Sequence, residues 1–277
     1  MISEYEEYQQ TYTDKSIHTV RAYEKAIGDF LLHFGIQSIG DLISLRPADY
    51  RNYQNYLRKN GLSPSSVNSR MRPIKAFLNW LCDNDYIDMV PRIKNIRGIE
   101  KEQVYLSREE CVQLVDGCKN EQSKVMIAFM IVTGMRRDEV SNAKVGDVND
   151  GIILVNGKGK KQRKLPIDKT VLQMLRSYLG NRTDGFLFPN TRGGQLSGES
   201  IRQRLNTAMK QAGFSKKRIG EITPHKLRAT AATNWLENTD LRTVQEALGH
   251  SSVVTTQRYA QVRSLSVLAE QNLFGGE

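Results

Sequence analysis

Residues 91–104, PRIKNIRGIEKEQV, divide this chain into two parts with different patterning. The stretch has no hydrophobic periodicity and carries Pro91 and Gly98, which suits an interdomain linker. Before it, apolar side chains recur every three or four residues, and no strand pattern competes. Ser16 is placed to cap a helix bearing Val20, Tyr23, Ile27, Phe30, Leu31 and Phe34. Pro47 can start a second, with Tyr50, Tyr53 and Leu57 inward and Gly61 as its stop. Ser63-Pro64 opens a third, bearing Val67, Met71, Ile74, Phe77, Leu78 and Leu81. Pro73 lies inside that pattern and predicts a kink or a break. Residues 1–97 therefore read as a small all-helical domain of roughly four helices.

The remainder, 105–277, is mixed. Ser107 to Glu110 spells S-x-x-E, a capping box, and an apolar helix over about 123–133 ends at Thr133-Gly134. Gly151–Val155 and Gln162–Ile167 read as short strands around a glycine-rich turn, hence a hairpin. Helices follow at about 168–179, 198–212, 224–237 and 240–248, with Thr223-Pro224 and Asp240 as starts. The expected fold is mainly α with a small β-hairpin or sheet, in two domains.

Charge narrows the partner. Forty Lys and Arg against 30 Asp and Glu leave +10, of which residues 1–100 carry only +1. Within that first part, residues 46–75 hold a local +6 from Arg46, Arg51, Arg58, Lys59, Arg70, Arg72 and Lys75 against Asp49. Such an excess suits a phosphate backbone, and a solvated basic face would look the same. Cys82, Cys111 and Cys118 show neither zinc nor disulfide spacing. The longest apolar run, ending at Val132, is far short of a membrane span, and the acidic start MISEYEEYQQ lacks a signal region. A reduced, cytoplasmic protein without membrane attachment is the expectation.

Four motifs carry chemistry-bearing residues: TGMRRDEV (133–140), GKGKKQR (157–163), HKLR (225–228), and LGH (248–250) with Tyr259 nine residues after His250. Each has an ordinary reading alone. Lys158, Lys160, Lys161, Arg163 and Lys164 could be a solvated turn, His225 and Arg228 a surface pair, His250 a helix end, and Tyr259 a core tyrosine. Together they fit displacement at a phosphodiester. That reaction needs an oxygen nucleophile, cations on the non-bridging oxygens and an acid for the departing oxygen. Arginine suits the clamp because its planar fork pairs phosphate oxygens and stays charged. Such a site needs no metal ion or cofactor, and no clear acidic cluster for two-metal chemistry stands out.

In this order and spacing the motifs resemble the tyrosine recombinase (phage integrase) family, specifically over 105–260 and weakly over 1–97. The resemblance implies a helical core-type DNA-binding domain followed by a mixed α/β catalytic domain. It implies Arg136 as the first clamp arginine, because the pattern T-G-[LM]-R-x-x-E places Glu139 three residues later; Arg137 is its rival. Glu139 is expected as a buried structural acid. The resemblance further implies Lys158 as the acid for the leaving 5′ oxygen, with Lys160 as the neighbour open to confusion. His225 and Arg228 match the proton-handling histidine and second clamp arginine, His250 a hydrogen-bond donor to the phosphate, and Tyr259 the nucleophile. Arg70, Arg72, Lys75, Lys160, Lys161 and Arg163 are candidate DNA contacts.

The implied activity is site-specific recombination of double-stranded DNA. It proceeds through a 3′-phosphotyrosyl intermediate and a Holliday junction, within a homotetramer or beside a paired recombinase on two sites. The two domains would clamp the duplex from opposite faces. The apolar set Val262, Leu265, Val267, Leu268 and Leu273 in 261–277 suits a segment docking on a neighbouring protomer, and equally a helix folded back on its own domain. The short stretch before the first expected helix leaves no room for an additional arm-binding domain, as in compact Xer-like members. A type IB topoisomerase-like relaxation activity and a non-catalytic DNA-binding regulator are the competing readings.

Overall fold

A computed structural model describes residues 2–14, 17–98, 103–156, 162–237 and 239–249. The chain separates into two compact units, Met1–Lys101 and Glu102–Glu277. Among the described residues, no helix is long and apolar enough to cross a membrane.

The first unit is helical: α1 (Ile2–Gln10), α2 (Ile17–Phe34), α3 (Ile39–Ile43), α4 (Pro47–Lys59) and α5 (Pro64–Asp83). Its core is the periodic apolar set read from the sequence: Ile27 and Phe30 of α2, Tyr50, Tyr53 and Leu57 of α4, and Val67, Met71, Ile74, Phe77, Leu78 and Leu81 of α5 are all buried. Phe30 binds this core together, stacking on Tyr50 at 5.6 Å and meeting Tyr53 edge-on at 5.2 Å. The Ser63 hydroxyl accepts the Ser66 amide at 3.2 Å, so Ser63-Pro64 does start α5.

Two features differ from expectation. The first helix starts at Ile2 rather than after Ser16, and Tyr8 of α1 is buried against Phe77 and Trp80. Helix α5 does not break at Pro73 but runs through it, with Pro73 itself buried. The proline removes one hydrogen bond, at a cost of about 3 kcal/mol. The apolar face that α5 buries on both sides of Pro73 offsets that loss.

Residues 91–98 form no helix or strand but lie along this unit. The Asn68 amide grips the Ile96 backbone twice, donating to its carbonyl and accepting from its N–H, each at 2.9 Å. Gln54 Nε2 donates to the Lys94 carbonyl at 2.9 Å, and Ile93 and Ile96 rest on the core. Side-chain amides thus take the place of a missing strand partner.

The second unit is built around α7 (Glu121–Thr133), whose side chains are buried from Val125 through Ile131 and again at Thr133. A helix apolar on every side must be central. Here α6 (Arg108–Gly117), α9 (Lys169–Leu179), α10 (Gly198–Gln211) and α12 (Pro224–Leu236) pack around it. The capping box at Ser107 and Glu110 forms as read. Short helices α8 (Arg137–Asn142), α11 (Lys216–Glu221) and α13 (Leu241–Leu248) complete the helical part.

The hairpin is present within a three-stranded antiparallel sheet of β1 (Val148–Asn149), β2 (Ile152–Asn156) and β3 (Gln162–Pro166). Ile153 faces Leu165 and Val155 faces Arg163 across β2 and β3. Ile153, Val155 and Leu165 are buried, so strand alternation puts Arg163 on the inward face as well.

Candidate active site

Two helix ends create the site. Helix α7 stops at Gly134 and α13 stops at Gly249, both left-handed, with φ of 59° and 61°. Glycine adopts this conformation without strain. At Gly134 the space is also filled: a Cβ there would lie 3.1 Å from Ala231 and 3.2 Å from Leu248. The glycine of T-G-M-R therefore both turns the chain and lets α7 approach α12 and α13.

Terminal carbonyls of a helix lack intrahelical partners and carry partial negative charge. Arginines take them here. Arg228 of α12 is 1% exposed and is the largest fully buried side chain among the described residues. Its Nη1 donates to the Gly134 carbonyl at 2.8 Å, and its Nη2 donates to the Leu248 carbonyl. Arg136, the residue before α8, donates from Nη2 to the Gly249 carbonyl at 3.0 Å. Arg163 donates from Nε to the Ala247 carbonyl at 2.7 Å. Three successive carbonyls at the end of α13 are thus held by three different arginines.

Glu139 joins two of them. Its carboxylate accepts the Arg136 amide at 2.7 Å and Arg136 Nη1 at 2.9 Å. It also accepts both terminal nitrogens of Arg163, at 2.9 and 2.7 Å. Its side chain is 8% exposed. Burial alone would push this carboxyl up, but the Arg163 bond, the Arg136 amide and the Arg163 charge outweigh it and hold the group below its ordinary value. Glu139 is accordingly ionised and buried, and it binds cations rather than protons.

His225 lies in the first turn of α12, one turn before Arg228. The residue is exposed, yet neighbouring protein takes part of its solvation. Desolvation, then the charges of Arg228, Lys226 and Arg136, hold its imidazole below the ordinary 6.5. The ring is therefore neutral at pH 7. The shift favours the unprotonated fold, so its contribution to stability is present above pH 6.5 and is lost as pH falls through the lowered value. In an NMR titration of the DNA-free protein, the His225 midpoint is expected below 6.5 and should rise in Arg136→Gln; a midpoint at or above 6.5 would contradict this geometry.

Arg137 stands apart from this group. Its Nε donates to Asp138 at 3.1 Å, and its guanidinium lies over Gly198, where a Cβ would come within 2.5 Å of Nε. Of the two adjacent arginines, Arg136 is the one at the helix ends.

The candidate DNA contacts fare unequally. Arg163 was expected on a cationic hairpin tip facing phosphates. Instead its side chain is only 13% exposed and is spent on Glu139 and Ala247 inside the unit. Arg70 is ion-paired with Asp29 at 2.7 Å. Lys75 donates to Asn95 Oδ1 at 2.8 Å, and burial holds its ammonium below its ordinary range. Arg72 is exposed on α5. Lys158, Lys160, Lys161, His250 and Tyr259 lie outside the described residues.

Residues 104–265 match the model of the phage integrase family, and residues 2–85 match the phage integrase N-terminal SAM-like domain. The tyrosine recombinase XerD of Listeria monocytogenes is 30% identical over 274 residues, covering 90% of each chain. The tyrosine recombinase XerC of Xylella fastidiosa is 28% identical over 259 residues, covering 89% of this chain and 87% of that protein. The fold matches that of the Tn1549 transposon integrase in complex with transposon right end DNA, with a TM-score of 0.78, 18% identity and 93% of each chain covered. With a family match over most of the second unit and full-length recombinase relatives, the chain belongs to the phage integrase family and is a tyrosine-type site-specific recombinase.

Proposed function

We propose that this protein cuts and rejoins double-stranded DNA through a 3′-phosphotyrosyl intermediate. The observation that carries the reading is the anchoring of Arg136 and Arg228 on the carbonyls that follow α7 and end α13, with the charges of both acting on His225. Both arginines are anchored by carbonyls before any substrate arrives, so little reorganisation is needed as charge builds on a phosphate. Arg136 and Arg228 hold the non-bridging oxygens. His225, neutral at pH 7, handles the proton of the attacking hydroxyl. His250, which follows Gly249 directly in the chain, donates to the phosphate. Tyr259 attacks the phosphorus and displaces the 5′ oxygen, which leaves with a proton from Lys158.

The 5′-hydroxyl of a partner strand then attacks the phosphotyrosine and frees Tyr259. Each step exchanges one phosphodiester for another, so no energy source is consumed. Double-stranded DNA is the substrate, as the DNA complex of the Tn1549 integrase supports. A tetramer on two sites would exchange strands in pairs, with 261–277 joining neighbouring protomers.

In this reading residues 1–97 form the helical DNA-binding domain, 105–277 the catalytic domain and 91–104 the connection. Its contacts with DNA would include Arg72, Lys160 and Lys161, and binding should weaken steeply with salt. Relatives named as recombinases disfavour both relaxation of a single duplex and a non-catalytic regulator. The test is exchange between two copies of a bound site on one plasmid. Recombinant products that require both copies support the reading; relaxation of a plasmid carrying one copy, with no exchange between two, removes it.

A further inference from the structure

We infer that Arg163 is a positioning residue that locks the clamp arginine Arg136 and the end of α13 into one geometry; this rests on the recombinase reading above. Arg163 occupies an inward position of β3 opposite Val155. One rigid guanidinium reaches two elements from there. Nη1 and Nη2 pair the two oxygens of Glu139 at 2.9 and 2.7 Å, and Nε takes the Ala247 carbonyl at 2.7 Å. The bidentate pair with a third bond to the side uses a fork that lysine lacks.

Two consequences follow from those bonds. Glu139 also holds Arg136 through its amide and its Nη1, so Arg163 fixes the carboxylate on which Arg136 rests. Ala247 lies two residues before Gly249, whose carbonyl receives Arg136 Nη2, and three before His250. Gly249 lies against the same side chain: a Cβ there would be in ordinary van der Waals contact with Arg163 Cδ at 3.4 Å and Nη1 at 3.5 Å. Arg163 therefore secures Arg136 from both sides without approaching the phosphate itself.

Its charge matters as much as its shape. A buried carboxylate seeks a cation. With Arg163 present, Glu139 is satisfied by a partner that never leaves. With Arg163 removed, Arg136 is the cation left on Glu139 among the bonds described, and the acid competes with the phosphate for it.

The experiment is single-turnover cleavage of a nicked suicide duplex at saturating concentration, with DNA affinity and thermal melting followed on the same variants. Arg163→Lys is expected to slow covalent adduct formation about 100-fold while DNA affinity stays at the wild-type value. Arg163→Met is expected to be slower still, and adding Glu139→Gln should recover part of the rate by releasing Arg136. A merely structural arginine would show neither the rate-only loss nor the recovery. Arg163→Lys cleaving at the wild-type rate, rate loss matched by affinity loss, or an Arg163→Met, Glu139→Gln pair no faster than Arg163→Met would each overturn the inference. Failure of the wild-type chain to form an adduct on a tightly bound site would instead remove the recombinase reading.

Discussion

Arg228→Ala is expected to cost the protein both stability and chemistry. Arg228 is 1% exposed, and its two terminal nitrogens satisfy the carbonyls of Gly134 and Leu248. Alanine would leave both carbonyls buried without these donors and open a cavity where the side chain lay. Each unsatisfied buried group costs roughly 1–3 kcal/mol, so a loss of about 3–5 kcal/mol is expected. That corresponds to a fall in melting temperature of roughly 6–20 °C for the second unit. Arg228→Lys is the informative companion, since it keeps the charge and volume but cannot reach two diverging carbonyls at once. It should fold, bind DNA, and form adduct about 100- to 1000-fold more slowly. Normal cleavage by Arg228→Lys would place Arg228 in the framework alone.

Arg136→Ala should separate the two effects. Its side chain is 43% exposed and makes one bond to the Gly249 carbonyl and one to Glu139. The amide of residue 136 keeps its bond to Glu139 whatever the side chain, and Arg163 continues to neutralise the carboxylate. Stability should change by about 1 kcal/mol or less. Cleavage should nevertheless fall about 100- to 1000-fold, the usual effect of removing one preorganised donor from a developing oxyanion. A similar exposed substitution, Arg137→Ala, serves as control and should leave cleavage near wild type, because Arg137 leans on Gly198 instead. Cleavage that depends on Arg137 and not on Arg136 would reverse the assignment.

What the sequence conveyed, and what it withheld, follows from the range of the interactions involved. Amphipathic helices announce themselves through repetition, so α2, α4, α5 and α10 are legible, whereas α7 shows as an unbroken apolar run and α12 by its Thr223-Pro224 start. Helices of five or six residues complete too few turns to repeat a pattern, and α3, α8 and α11 escape for that reason. Helix α1 is longer, but its nine residues show only Tyr5 and Tyr8, three apart, too few to repeat a pattern. Residues 91–98 were legible as irregular chain, whereas their attachment was not, because Asn68 and Gln54 hold backbone groups rather than side chains.

At the site, residue types and order point to Arg136, His225 and Arg228, since a phosphate clamp is a chemical requirement visible in composition. The choice between Arg136 and Arg137 came from the position of Glu139 three residues on, and the carboxylate does meet Arg136. Arg163 reads in the sequence as one of a cationic run with Lys158, Lys160, Lys161 and Lys164, yet strand parity pairs it with inward Leu165 and sets it apart from outward Lys164. That parity was available in the sequence. The use of three arginines to close one helix end was not, because Arg136 and Arg163 lie 113 and 84 residues before the carbonyls at the end of α13 that they bond.

Covalent trapping tests the proposed chemistry most directly. The protein is incubated with nicked duplexes from its native genomic neighbourhood, with EDTA present, and resolved under denaturing conditions. A protein–DNA adduct that survives denaturation and vanishes in Tyr259→Phe, with DNA binding by that variant intact, is the expected result. A duplex bound tightly that yields no adduct, or an adduct that persists in Tyr259→Phe, would contradict it.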